Sequence, residues 1–211
     1  MRQKTDAKRQ QILDVAARLF LKFGLESVSM SQVAADVGGS KATLYNYFQN
    51  KEELFVEVVM KIIGHMTERA ATALERNLPL MEKLKSLGIE YLKFILEDDS
   101  IALYRNVLIY PHRGRLSRDA YDRVMRSAWK HVTDVIDEAM KQGRLKKEDP
   151  WLATLQLKKL FELDLIERRL LSLDKDINMS EIERNVEKGL NVFLSYYRPA
   201  PCEGTQGKAR A

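Results

Sequence analysis

Along most of this chain, apolar residues recur at three- and four-residue spacing, the pattern of amphipathic helices. Residues 5–23 place Ile12, Ala16, Leu19 and Phe23 on one face, and Gly24 stops the run as a C-terminal cap. Helix starts then follow closely. Ser29-Met30-Ser31-Gln32 has the form of a capping box, with Ser29 set to accept the amide of residue 32. The short helix behind it buries Val33, Ala34 and Val37 and is broken by Gly38-Gly39. Ser40 caps a second short helix running from Lys41 to Tyr47, and Asn50 with Glu53 opens a third. Two short helices joined by a glycine turn are the parts of a helix-turn-helix.

Beyond residue 50 the predicted helices lengthen. One covers 51–76 with Phe55, Val58, Ile62, Met66 and Ala70 in a stripe. Pro79 suits the first turn of the next, which buries Leu80, Leu84, Leu87, Tyr91 and Ile95. A shorter helix spans 100–110 and ends at Pro111. A long one over 115–141 carries Tyr121, Met125, Trp129, Val132, Ile136 and Met140, and stops at Gly143. Asp149-Pro150 supplies an N-cap and an N1 proline for a helix to residue 172, and Ser180 with Glu183 opens the last, ending near Tyr197. No strand and no internal repeat is predicted. The fold class is all-α, with a three-helix N-terminal domain over 1–50, a larger helical domain over 51–198, and a tail over 199–211 whose Pro, Gly and charge predict disorder.

Composition narrows the function classes. The 211 residues are 45% hydrophobic and 31% charged, as in a soluble globular protein. The single cysteine, Cys202, excludes an internal disulfide, and no apolar run approaches the ~18 residues of a membrane span. The expectation is a cytoplasmic protein without membrane contact. The net charge of +5 is uneven: residues 1–51 hold eight cations and four anions, whereas 52–197 are close to neutral. A basic end on a neutral body suits a polyanionic partner.

That partner fits residues 29–51. Leu44 and Phe48 can face a core with Val33 and Val37, leaving Lys41, Ala42, Thr43, Tyr45, Asn46 and Tyr47 over the outer surface of a short reading helix. The helix start at Ser40-Lys41 points amides toward a phosphate, Lys51 adds a cation beyond its end, and Ala42 permits close approach to a groove. Asn46 is the natural bidentate reader of adenine.

The stretch Ile12-Leu13-x-x-Ala16-x-x-Leu19-Phe20-x-x-x-Gly24, followed by Val33-Ala34-x-x-Val37-Gly38-x-Ser40-Lys41-x-Thr43-Leu44-Tyr45-x-Tyr47-Phe48-x-x-Lys51-Glu52-x-Leu54, resembles the DNA-binding domain of the TetR family of bacterial transcriptional regulators. The resemblance implies that Ser40, Lys41, Thr43, Tyr45, Asn46, Tyr47 and Lys51 contact a double-stranded operator, with Ser29 and Ser31 near its backbone. Gly39 departs from the pattern, where the family usually carries an apolar residue. The resemblance further implies a helical ligand sensor and a homodimer formed by the last two helices. Leu103-Tyr104-Arg105 through Asp149-Pro150 is more weakly similar to sensors of the efflux-repressor type.

For the dimer face, the expected residues are Leu163, Ile166 and Leu170 on the penultimate helix, and Ile182, Val186, Gly189, Leu190, Phe193 and Tyr197 on the last. The alternative for them is a larger intramolecular core. Polar or aromatic candidates for an effector pocket are His65, Met66, Tyr91, Tyr104, Asn106, Tyr110, Trp129, His131, Phe161 and Asp164, where Asp164 can instead pair with Arg168. Effector identity does not follow from these residues. Catalysis and metal binding find little support. The three histidines lie on separate elements, Gly38-Gly39-Ser40-Lys41 lacks phosphate-loop spacing, and Ser127-x-x-Lys130 stands without its partner motifs. No cofactor is expected. The resulting expectation is a homodimeric repressor released from a palindromic operator by a small molecule; a helical protein-binding adaptor, or an activator on the same scaffold, is the alternative.

Overall fold

The computed structural model describes residues 5–75, 77–109 and 118–199. Among them every regular element is a helix: α1 Asp6–Phe23, α2 Met30–Asp36, α3 Lys41–Tyr47, α4 Lys51–Glu75, α5 Leu80–Ile95, α6 Asp98–Ile109, α7 Arg118–Lys141, α8 Pro150–Glu162, α9 Leu165–Leu170 and α10 Met179–Tyr197. None of the described helices is long and apolar enough to cross a membrane.

The expected start signals act at the atomic level. The Ser29 hydroxyl accepts the Gln32 N–H at 3.2 Å, and Ser40 accepts that of Thr43 at 3.1 Å. Asn50 accepts the Glu53 N–H at 2.7 Å while the Glu53 carboxylate reaches back to the Gln49 N–H, also at 2.7 Å. Asp149 caps α8 through the amides of Trp151 and Leu152, with Pro150 in the first turn. The last helix starts earlier than Ser180. Asn178 is its cap, accepting the Glu181 N–H at 3.0 Å, and the Ser180 hydroxyl only donates to Asn178.

The α2–α3 turn closes by paired bonds from Gly38 N–H to Ala35 O and from Gly39 N–H to Ala34 O, both 3.0 Å. This is a Schellman closure in which Gly38 alone takes the left-handed conformation, at φ 68°. The Gly39 departure therefore leaves the turn intact.

Two cores result. In the first, Ile12, Ala16, Leu19 and Phe20 of α1 meet Val33, Val37, Leu44 and Phe48, together with Leu54, Phe55 and Val58 of α4. It thus extends past residue 50 into the opening turns of the long helix. Phe23 departs from the expected stripe: it is exposed and lies under the Lys22 ammonium, while Phe20 takes the buried place. Helix α4 then continues into the second core, where it packs on α5 and α7, and α10 packs on α8 and α5. Leu103 of α6 and Val124 of α7 join the first core from the larger domain.

The helix expected from 150 to 172 is interrupted. Leu163 sits at φ 41°, ending α8, and α9 restarts at Leu165 and packs on α6. The break turns Leu165, Ile166 and Arg169 inward. Buried Arg169 then ties together the Leu96 carbonyl, Asp98, and the carbonyls of Asp174 and Lys175.

Candidate nucleic-acid interface and inner cavity

Helix α3 buries Leu44 and sets Lys41, Ala42, Tyr45 and Asn46 outward. The Lys41 ammonium lies 5.9 Å from the Tyr45 ring centroid, so a cation and an aromatic share one outer corner. Ser29 and Ser31 are exposed at the start of α2. Other expected contact residues have work inside the fold. The Thr43 hydroxyl lies 2.9 Å from that of Ser40, and the half-buried Tyr47 accepts the Thr5 N–H at 3.0 Å, joining the recognition helix to the start of α1. Lys51 is engaged within the fold. Its ammonium donates to the carbonyls of Leu25, Val28 and Glu26 at 2.8, 3.1 and 3.4 Å, clamping the α1–α2 loop.

A cavity of about 180 Å³ lies among α4, α5, α6, α7 and α8. Its walls are Val56, Val59, Ile62 and Ile63, then Phe94, Ile95, Leu103 and Val107, then Val124, Met125 and Ala128, with Tyr91, Tyr104, Tyr121, Trp129 and Ser100 also lining it. Of the expected effector residues it gathers Tyr91, Tyr104 and Trp129. Tyr91 and Trp129 meet edge to face at 4.8 Å.

The remaining candidates lie elsewhere. Phe161 is wholly buried in the core against Gly88. Asp164 is exposed with its carboxylate 3.8 Å from Arg168, the pairing open to it from sequence. His131 is exposed and lines a separate hollow of about 480 Å³ whose walls include Lys83, Asp134, Glu138 and Arg144. Asn106 faces α1: its Oδ1 accepts the Leu25 N–H and its Nδ2 donates to the carbonyls of Phe20 and Ala102. Tyr110 and the side chains of His65 and Met66 lie outside the described residues.

The two charged residues of the cavity escaped the sequence reading. Lys158 and Lys159 line it, and between them Glu162 is buried at 2% exposure. Glu162 Oε1 accepts from Tyr91 and Lys158, and its Oε2 accepts from Lys159 at 2.6 Å. Burial alone would raise the Glu162 carboxyl, but the two ammonium groups and their bonds hold it below its ordinary value. Burial pushes Lys158 down against the pull of Glu162. Burial also opposes the charge on Lys159, yet its bond to Glu162 leaves it raised. The Tyr91 phenol is driven well up, by burial first and the Glu162 charge second. The sequence signal was a Lys-Lys pair inside a largely apolar helix.

Most of the expected dimer-face residues lie within the core of the single chain. Ile166, Ile182, Val186, Leu190, Phe193 and Tyr197 are all at most 4% exposed within the single chain, and Gly189 is buried against α8. These residues, with half-buried Leu170, form the intramolecular core, so the stripe on α10 is spent on its own α5 and α8. Only Leu163 of that set is exposed. The large apolar side chains turned outward on α8 and α10 are Leu152, Met179, Val192 and Tyr196, with Leu163 just past the end of α8.

Comparison with known proteins decides the class. Residues 12–58 match the family described as bacterial regulatory proteins, tetR family, and residues 82–199 match the C-terminal domain of AefR-like transcriptional repressors. The chain belongs to the TetR family. The helix-turn-helix of this TetR-family regulator is thus a DNA-binding unit, and its function class is transcription regulation rather than catalysis. The HTH-type transcriptional regulator YhgD of Bacillus subtilis (strain 168) is 28% identical over 191 residues, covering 87% of this chain and 97% of that protein. The fatty acid metabolism regulator protein of the same organism is 22% identical over 147 residues, 70% of this chain and 75% of that one. Among solved structures, the flavonoid-responsive regulator FrrA superposes with TM-score 0.74 at 26% identity, covering 93% of this chain and 100% of that chain.

Proposed function

We propose that this TetR-family regulator is a homodimeric repressor, released from a palindromic operator by a small molecule held in the inner cavity. The observation that carries this reading is the double role of α6. Leu103, Tyr104 and Val107 form cavity wall, while Asn106 on the same helix holds the end of α1. A ligand that displaces α6 carries the DNA-binding domain with it, which couples the two sites through one rigid element. The names of the relatives support a small-molecule signal, one being flavonoid-responsive and another a regulator of fatty acid metabolism.

In this reading Lys41 and Tyr45 meet the phosphate backbone, aided by Ser29, Ser31 and Ser40, while Asn46 reads a base and Ala42 lets the helix approach. Thr43, Tyr47 and Lys51 act first by fixing the pose of α3. Two chains pair through the outward faces of α8 and α10, giving two recognition helices for two half-sites.

Fluorescence anisotropy of the full chain on DNA upstream of its own gene tests the reading. Two chains are expected per operator, with affinity that falls steeply with salt and with ligand. A ligand bound in the cavity that leaves operator affinity unchanged overturns release. A fall in transcription on deleting the gene, instead of a rise, replaces repression by activation.

A further inference from the structure

The cavity is apolar on nearly every side, yet its α8 wall presents two ammonium groups to one carboxylate. In direct contact this is two ammonium groups to one carboxylate beside a hydrocarbon-lined space, with the Glu167 charge acting on both lysines from farther off. Lys158 is only 11% exposed along its side chain, so water screens it little, whereas Lys159, at 65%, is largely solvated. An ammonium has three N–H donors, and Glu162 is the acceptor the structure gives Lys158. Lys158 lines the cavity, and its ammonium lies 5.8 Å from the ring centroid of Tyr91, another lining residue.

We propose that the cavity selects a small amphipathic monocarboxylate, with its acid group on Lys158 and Lys159 and its apolar body among Val59, Phe94, Leu103 and Trp129. This rests on the reading of the cavity as the sensor site and adds the ligand's chemical class. Charge makes the choice. A cation would need Glu162, but both of its oxygens already accept from Tyr91, Lys158 and Lys159, leaving one acceptor site at most. It would also meet two ammonium groups. A neutral ligand fills the space but leaves two ammonium groups on one carboxylate. A carboxylate brings the cluster to two cations and two anions. Size limits the body. At about 180 Å³ the space slightly exceeds the ~150 Å³ cavity that holds benzene, so one ring with a short chain, or a medium acyl chain, is the fit.

Isothermal titration calorimetry with octanoate and 3-phenylpropionate, each against its matching alcohol and amine, tests this without DNA. The acids are expected to bind at least tenfold more tightly than the alcohols, with the amines weakest. Lys158→Met keeps an unbranched chain one atom shorter and removes the charge, and the acid's advantage over the alcohol disappears. Lys159→Met, at a more exposed position, reduces that advantage severalfold. Equal binding of acid and alcohol by the unmodified protein, tighter binding of an amine, or binding of no probe overturns the proposal, whatever the variants do. Operator anisotropy with the same probes separates the two readings. Acid-selective binding that leaves DNA affinity unchanged sinks the sensor role and keeps the ligand class. Equal binding and equal release by acid and alcohol does the reverse.

Discussion

Asn106 accepts the N–H of Leu25 at 3.2 Å, although the two residues lie 81 positions apart in the chain. The same side chain donates to the Phe20 carbonyl at 3.3 Å, so it grips the turn that ends α1 from both sides. Leu25 is almost wholly buried, and an unpaired N–H there costs about 1–3 kcal/mol. Asn106→Ala is therefore expected to lower thermal stability. It should also shrink the effector's influence on operator affinity by about fivefold or more, while calorimetry shows ligand still binding. Asn106→Asp, which keeps the acceptor for Leu25 and loses the donor to Phe20, should recover part of the stability. Full release by effector in Asn106→Ala would show that coupling runs through another contact.

Lys41 and Lys51 are both cations near the recognition helix, but they should respond differently to removal. Lys41 is exposed beside Tyr45, so Lys41→Ala should leave the melting temperature unchanged and lower the slope of log affinity against log salt by ~1. Lys51 holds three loop carbonyls, and Lys51→Ala should destabilise the fold by about 2 kcal/mol as well as weaken operator binding. Thermal melts alongside anisotropy at several salt concentrations separate the two effects. A stable Lys51→Ala variant with only a changed salt slope would return Lys51 to the phosphates.

The helices were legible in sequence because their signals are local. Ser29, Ser40, Asn50 and Asp149 each cap through an amide two or three residues ahead, and Leu44 with Phe48 declares a buried face by spacing alone. Partnership was not legible. Periodicity marks Val186, Leu190 and Phe193 as buried, but it cannot distinguish burial against α5 and α8 of the same chain from burial against a second chain. The interruption at Leu163 was missed because its cause is tertiary, the turning of α9 onto α6. Lys158 and Lys159 were missed because a lysine pair in a helix ordinarily faces solvent. Only packing brings Lys158 inside, next to Glu162.

Gly39 and Gly189 make opposite predictions from similar positions in sequence logic. A Cβ on Gly39 meets nothing within 4 Å, and its φ is not in the left-handed region. Gly39→Ala should therefore stabilise by about 0.4–1 kcal/mol, by restricting the unfolded chain. A Cβ on Gly189 would stand 2.4 Å from the Leu160 carbonyl oxygen, which is backbone and cannot swing aside. Gly189→Ala should cost about 3 kcal/mol or be rescued only by separation of α8 from α10. Differential scanning calorimetry reads both, and a neutral Gly189→Ala would contradict the close helix approach.

The outward faces of α8 and α10 give the last prediction. A subunit interface must be exposed in the isolated chain, and Leu152, Val192 and Tyr196 are each about half exposed. Phe193, their neighbour, is 1% exposed and stacks on Tyr197 at 4.4 Å, inside the subunit. Val192→Glu and Leu152→Glu, singly or together, should leave folding intact because those side chains touch little within the chain. In a dimer paired through these faces they bury charge without a partner, which is costly. Sedimentation should then show monomers, and operator affinity should collapse because one recognition helix cannot hold a two-half-site operator alone. Phe193→Glu should instead lose the helical circular dichroism signal, because it places a charge in the core. Dimers that survive Leu152→Glu/Val192→Glu would move the interface elsewhere. Folded monomers from Phe193→Glu would restore the interface expected from sequence.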